Sequence, residues 1–196
     1  MQPSADAAPG PTPGSTPGVR PATTVREAGA EDWPYLWPIV REVVRAADTF
    51  AYDPAMTEAQ ARAAWLDSPV RVTVAVRDGV VVGTANMYPN RPGPGSHIAS
   101  GSIMVDRAVR GTGAGRALVE DLIGWARRDG YAAIQFNAVV DTNAGAVHLY
   151  ESLGFVTLGV APGAFRHPEL GDVGLRIMWP ELREPAVEAA TGEVGA

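Results

Sequence analysis

Between residues 24 and 182 the chain passes through β-branched runs, stretches with helical start and stop signals, and short turns rich in Gly, Pro and Asp. Thr24-Val25-Arg26 can open a short strand. Asp32 stands where a helix N-cap belongs, and a helix is predicted from there to about residue 46, with Pro38 expected to kink it. Thr57-Glu58-Ala59-Gln60 fits a capping box, which opens a second helix to about residue 66. Residues 70–77 and 80–88 are β-branched runs on either side of Asp78-Gly79, a strong hairpin signal. A strand over 97–105 follows, then a helix over about 113–128, a strand over 133–138, a helix over 143–153, and strands near 155–160 and 175–179. The polar and aromatic stretch 165–172 reads as a connector that helps close a site, with Arg166 and Glu169 able to pair across it.

This order, a strand, two helices, an antiparallel run and then αβαββ, predicts an α/β (α+β) domain. Its sheet should be mixed but mostly antiparallel, with flanking helices. Residues 1–23 consist almost entirely of Pro, Gly, Ser, Thr and Ala, and 183–196 is similar. Neither has much to bury, so both are expected to be flexible tails around a domain at 24–182.

Composition narrows the chemistry. A length of 196 residues with 46% hydrophobic content suits one domain with a real core. There is no cysteine, which excludes disulfides, thiolate metal sites and a cysteine nucleophile. A net charge of -6 argues against nucleic acid as a partner. The first residues lack a basic-then-apolar leader and no long apolar run occurs, so no membrane span is expected and the cytoplasm is the expected location.

The most informative segment is Arg110-Gly111-Thr112-Gly113-Ala114-Gly115, between a predicted strand and a predicted helix. Glycine allows positive φ and close approach to the backbone, and the first amides of a helix are unpaired donors at the positive end of its dipole. Such a loop suits phosphate, with Arg110 adding a charged donor. A Walker A loop is excluded because the chain contains no lysine, and G-x-G-x-x-G is not met because Arg116 and Ala117 follow Gly115. What remains is a coenzyme A pyrophosphate site, or a tight turn whose glycines serve only the turn.

The stretch from Ile103 through Leu118 resembles the acetyl-CoA motif of the GNAT acetyltransferase superfamily. Asn143-Ala144-Gly145-Ala146-Val147-His148-Leu149-Tyr150-Glu151-Ser152-Leu153-Gly154-Phe155 resembles its second motif. The resemblance covers residues 24 to 182 and implies an acetyl-CoA-dependent N-acetyltransferase that needs no metal and acts as a homodimer. It implies that the strand carrying Val105 splays from the next one near Phe136, so that the cofactor arm lies in the gap against Met104 and Val105. The Val105 N–H would face the thioester carbonyl and stabilise the oxyanion. Arg110, Gly111, Thr112, Gly113, Ala114, Gly115 and Arg116 would hold the pyrophosphate, with Asn143 and Ala146 beside the arm. Tyr150 falls on the family's usual general acid for the departing thiolate; the plainer reading is an aromatic packed on the sheet.

Many relatives carry a glutamate base on the strand equivalent to 97–105, and here that strand has no carboxylate. The alternatives are a substrate that enters partly deprotonated, a water held by Ser100, Ser102 and backbone carbonyls that relays the proton, and His97, which begins the strand away from the reacting end. Tyr88-Pro89-Asn90, Ser96-His97 and Gln135 through Asn143 are similar to the branch that acetylates azetidine-2-carboxylate and related proline analogues. In that branch two asparagines meet the substrate carboxylate, falling here on Asn137 and Asn143, and a third near the substrate nitrogen falls on Ser100. The expected acceptor is therefore a small amino-acid-like amine, enclosed by the loops at 89–96 and 165–172. A protein or peptide N-acetyltransferase and a silent acyl-CoA-binding sensor are the rival readings.

Overall fold

The computed structural model describes residues 22–180 and Leu182. Of the tails expected at 1–23 and 183–196, residues 1–21 and 183–196 lie outside the described residues. Strand β1 (Thr24–Glu27) is followed by helix α1 (Trp33–Ala46), helix α2 (Glu58–Arg62) and the hairpin β2 (Arg71–Arg77) and β3 (Val80–Pro89). Strand β4 (Ile98–Val105), helix α3 (Ala114–Arg128), short β5 (Ala133–Ile134), β6 (Phe136–Val140), helix α4 (Ala144–Ser152), β7 (Val156–His167) and β8 (Gly171–Trp179) complete the domain.

Five strands form one sheet in the order β1-β2-β3-β4-β5, and three form a second in the order β6-β8-β7. All pairings are antiparallel except β4 with β5, giving the mixed, mostly antiparallel architecture expected. Alternation along β2 and β3 puts apolar side chains on both faces of the larger sheet. One face packs against α1 and α2 through Leu36, Val40, Val43, Trp65, Val72 and Val74. The other packs against α3 and α4 through Leu118, Leu122, Trp125, Phe136, Phe155 and Met178. The buried Trp65 indole donates to Thr84 Oγ1 at 3.1 Å, so its one polar atom is satisfied in the core.

While several other sequence expectations change, helix α1 includes Pro38 and ends at Ala46, as expected. Asp32 does precede it, but its carboxylate makes no cap; it accepts instead from Arg26 at 2.7 and 2.8 Å and from Gly29 N–H at 2.9 Å. The second helix has its capping box at Thr57 and Gln60, then turns π-helical over Ala63–Asp67. The strand expected at 133–138 is two strands in two sheets: Gln135 N–H bonds Ala99 O at 2.8 Å, whereas Phe136 pairs with Met178.

The stretch 165–172 is not a loop over a site. Phe165, Arg166 and His167 pair in register with Val173, Asp172 and Gly171, leaving a turn at residues 168–170. His167 Nδ1 accepts from the N–H groups of Glu169 and Leu170 at 3.1 and 3.3 Å, and Arg166 pairs with Asp172 rather than Glu169. Pairing with β8 overrides local sequence signals broken by glycine and proline.

Candidate active site

Strands β4 and β5 pair only at Ile98 with Ala133 and at Ala99 with Ile134, then part. Within β4 the backbone polar groups alternate sides. Ile98 O accepts from Asn90 N–H beyond β3, while His97 O and Ala99 O accept from Ala132 and Gln135 on the other side. Val105 stands opposite Gly83, and Asp106 N–H bonds Val82 O at 2.9 Å, which makes Val105 and Gly83 a non-hydrogen-bonded pair. Gly101, Ile103 and Val105 therefore turn their N–H and C=O groups away from β3, into the gap left by β5. Met104 turns its own toward Thr84 and buries its side chain on the α1 side.

Two clefts follow this gap. The larger, about 780 Å³, is lined by Ile103, Met104 and Val105, by Arg110, Gly111, Gly113, Gly115 and Arg116, and by one side of α4 including His148 and Leu149. Gly111 and Gly113 have φ of 77° and 95°, and a Cβ at either would meet no protein atom within 4 Å. That leaves an open cradle whose backbone only glycine adopts without strain. The first helical bond of α3 here runs from Ala117 N–H to Gly113 O at 3.0 Å, and the N–H groups from Gly113 to Arg116 find no acceptor among the described residues. A set of free amides, an open cradle and two exposed arginines fits a pyrophosphate. Thr112 does not line the cleft, because its hydroxyl and N–H are both committed to Val109 O. Ala114 points its methyl into the core and offers only its amide. Arg116 reaches Ser152 Oγ at 2.7 Å, which ties the loop to α4.

The smaller cleft, about 240 Å³, is lined by Ser100, Gly101, Ser102 and Ile103 of β4, by residues 136–140, by Tyr88, and by Thr49 through Tyr52. Six residues line both clefts: Thr49, Phe50, Ile103, Asn143, Ala146 and Tyr150. Their meeting point is where a group carried in one cleft would reach a group held in the other. Neither the loop expected at 89–96 nor residues 165–172 line the small cleft. The wall is the segment after α1, Thr49 through Tyr52, to which the sequence pattern assigns no element. Phe50 and Tyr52 stack at 5.9 Å, and Arg107 holds the neighbouring Asp48 at 2.7 and 2.8 Å. Two aromatics one residue apart in a connector were the available signal.

Tyr150 packs its ring against Phe136 at 4.6 Å and Phe155 at 5.6 Å. Its hydroxyl has no protein partner among the described residues, and burial pushes its pKa up to about 12. Packing and an available hydroxyl thus coexist. Asn143 precedes α4, and its Oδ1 accepts from Ala146 N–H at 3.3 Å, so its amide N–H groups remain for a ligand. Asn137 is differently placed: Oδ1 accepts from Gln135 Nε2 at 2.8 Å, and Nδ2 donates to Asn90 Oδ1 at 2.7 Å. Ser100 is buried at 1% exposure and donates its hydroxyl proton to Gln135 O at 2.8 Å. His97 is exposed, its Nδ1 lies 3.0 Å from Pro94 O, and it lines neither cleft.

Splayed parallel strands, a glycine cradle at a helix start and a tyrosine between two clefts define a coenzyme A-dependent acyl-transfer domain. The family model for the acetyltransferase (GNAT) family matches residues 35–155, and the chain belongs to that family. Its domain is of the acetyl-CoA-dependent N-acetyltransferase class. It is similar to the solved structure of a GCN5-related N-acetyltransferase from Kribbella flavida, with 55% identity, a TM-score of 0.78 and coverage of 82% of this chain and 98% of that one. It is also similar to yncA, a putative acetyltransferase from Salmonella typhimurium solved with acetyl-CoA, at 27% identity, TM-score 0.71, covering 86% and 99%. Over 86 residues it is 35% identical to the N-acetyltransferase aca1 of Schizosaccharomyces pombe, covering 44% of this chain and 41% of that protein. The chain spans less than half the length of the curated relatives it matches.

Proposed function

We propose that the protein moves an acetyl group from acetyl-CoA to the amine of a small amino-acid-like acceptor by direct attack within a ternary complex. The observation that carries this reading is the meeting of a glycine-cradled cleft with a small second pocket at Tyr150, Asn143 and Ile103. In this reading the cradle from Arg110 to Arg116 holds the pyrophosphate, and the arm runs along Met104, Val105 and Ala146. The Val105 N–H donates to the oxygen that gains charge as the amine attacks. Tyr150, protonated well above neutrality, gives its proton to the departing sulfur.

Asn143 keeps free amide donors for the α-carbonyl oxygen of an amino-acid-like acceptor. Asn137 acts less directly than the proline-analogue resemblance implies, because its amide is already engaged by Gln135 and Asn90. A pocket of about 240 Å³ favours a small acceptor over a protein segment. The protein works as a homodimer, with Val156, Leu158 and Val160 of the edge strand β7 covered; they are 56, 60 and 46% exposed in the single chain.

The test is free-thiol release from acetyl-CoA over a panel of amino acids, amino-acid amides, peptides and simple amines. Release that saturates with a small amine supports the reading. Peptides turned over faster than every small amine would redirect it to peptide acetylation. Tight acetyl-CoA binding with no release would make the protein a sensor.

A further inference from the structure

The small cleft holds no ionic side chain. Among the described residues that line it there is no Asp, Glu, Arg or His, and its titratable groups are Tyr52, Tyr88 and Tyr150. All three face the cleft through their lining positions, and two are driven toward the neutral phenol. Burial, with Tyr88 beside it, raises the Tyr52 pKa, and burial raises that of Tyr150.

Four carboxylates adjoin lining residues in sequence: Asp53 and Glu151 are exposed, and Asp48 and Asp141 are clamped. Asp48, next to the lining Thr49, is held by two bonds from Arg107. Its burial opposes ionisation, but the Arg107 bonds and charge outweigh it and keep the pKa below the usual range. Asp141, next to Val140, is held by Arg176 at 2.5 Å. Asp53 is turned to Ala55 N–H at 2.8 Å, and Glu42 lies 3.5 Å from Arg107 Nε. Arg110, Arg116 and His148 face the cofactor cleft, not this one.

The neutral groups point the same way. Ser100 commits its proton to Gln135 O, so toward the cleft its oxygen has only lone pairs to offer. It can accept an N–H from an amine but has no route to pass a proton on, since the chain ends at a carbonyl. Asn137 Oδ1 accepts from Gln135, its Nδ2 donates to Asn90 with Ser100 Oγ a second acceptor at 3.5 Å, and Gln135 itself does not line the cleft.

Resting on the acetyl-transfer reading, we infer that the acceptor is a weakly basic amine that enters neutral, an α-amino group beside an electron-withdrawing carbonyl, and not an alkylamine of the lysine kind. Holding a cationic ammonium in a cleft without a counter-charge carries a desolvation cost. An α-amino group of pKa about 8 is substantially neutral at physiological pH, whereas an alkylammonium near 10.4 is not. The steps balance without an enzyme base. The amine lone pair forms the N–C bond, the C–S bond breaks, and Tyr150 donates its proton to sulfur. The surplus proton on nitrogen leaves to water and Tyr150 is reprotonated.

The test uses the full chain with acetyl-CoA and two acceptors of similar size, alaninamide and isobutylamine, followed by thiol release from pH 6 to 10. The expected kcat/KM at pH 7 favours alaninamide by about two-hundredfold, the ratio of neutral fractions for pKa values of about 8 and about 10.4. The rising limb of kcat/KM should follow each amine's own pKa, shifting by about two units between the acceptors. A limb at the same pH for both would reveal an enzyme base and overturn the inference while leaving acetyl transfer intact. Isobutylamine used as well as alaninamide at pH 7 would also overturn it. Release with neither acceptor, nor with any other amine, would overturn the inference together with the reading beneath it.

Discussion

At the scale of single residues, Tyr150 shows how one side chain serves packing and chemistry together. Its ring completes a cluster with Phe136 and Phe155, which themselves stack at 4.7 Å, and its hydroxyl stands free where the clefts meet. Tyr150→Phe keeps the ring and removes only the proton donor. The expected result is a fall in kcat of at least about a hundredfold, the usual scale of general acid catalysis, with acetyl-CoA binding within threefold of the parent. Unchanged pre-steady-state transfer in that variant would remove Tyr150 from the chemistry. Burial that raises the pKa to about 12 also has a stability consequence. Below pH 10 the phenol is neutral in both folded and unfolded chains, so nothing is lost. Above it the unfolded chain releases the proton first, and stability falls as pH rises toward 12. An absorbance titration of tyrosinate should show a late component near pH 12 that Tyr150→Phe abolishes.

Among the elements, the backbone of the cradle before α3 is legible, because three glycines and an arginine at a strand-to-helix junction have a local physical meaning, whereas the outward turn of Thr112 and the burial of the Ala114 methyl are not. The start of α4 is legible too, since asparagine is a favoured N-cap and Asn143 Oδ1 caps the helix by accepting from Ala146 N–H. What stayed hidden depends on distant pairing. Residues 133–138 look like one strand, yet at Gln135 the chain leaves one sheet for another, because Phe136 finds its partner 42 positions downstream at Met178. The wall built by Phe50 and Tyr52 is held by Arg107, 59 positions away from Asp48, and no local pattern encodes that contact. The cradle invites a direct test with Gly113→Ala. At φ 95° an alanine is strained, which should cost about 1–2 kcal/mol of stability. No protein atom lies within 4 Å of the new methyl, so the core is undisturbed and the methyl occupies the cradle itself. Calorimetric titration should show acetyl-CoA affinity reduced by tenfold or more, beyond what the small loss in Tm explains. Undiminished affinity would place the pyrophosphate elsewhere.

For the whole molecule, the two sheets differ in how well they are covered. The five-stranded sheet has helices on both faces, whereas the β6-β8-β7 sheet ends in a twelve-residue edge strand. A long edge with an apolar row at every second residue invites another chain, and single-chain proteins usually interrupt such edges with charge. On β7 the first charged residue is Arg166, beyond Val156, Leu158 and Val160; register shifts at Leu158 and over residues 162–164 break the ladder with β8, but no charge covers these exposed apolar side chains. None of these residues lines either cleft, so association through β7 and catalysis are separable. Leu158→Lys puts a charge at the centre of the row without entering the core, since Leu158 is 60% exposed. In sedimentation velocity the parent should run as a dimer and the variant as a monomer. Turnover per chain should stay within twofold if the second copy only covers the strand. A variant that remains dimeric would move the interface away from β7, and a monomer that loses activity would mean that the partner copy shapes the acceptor pocket from outside.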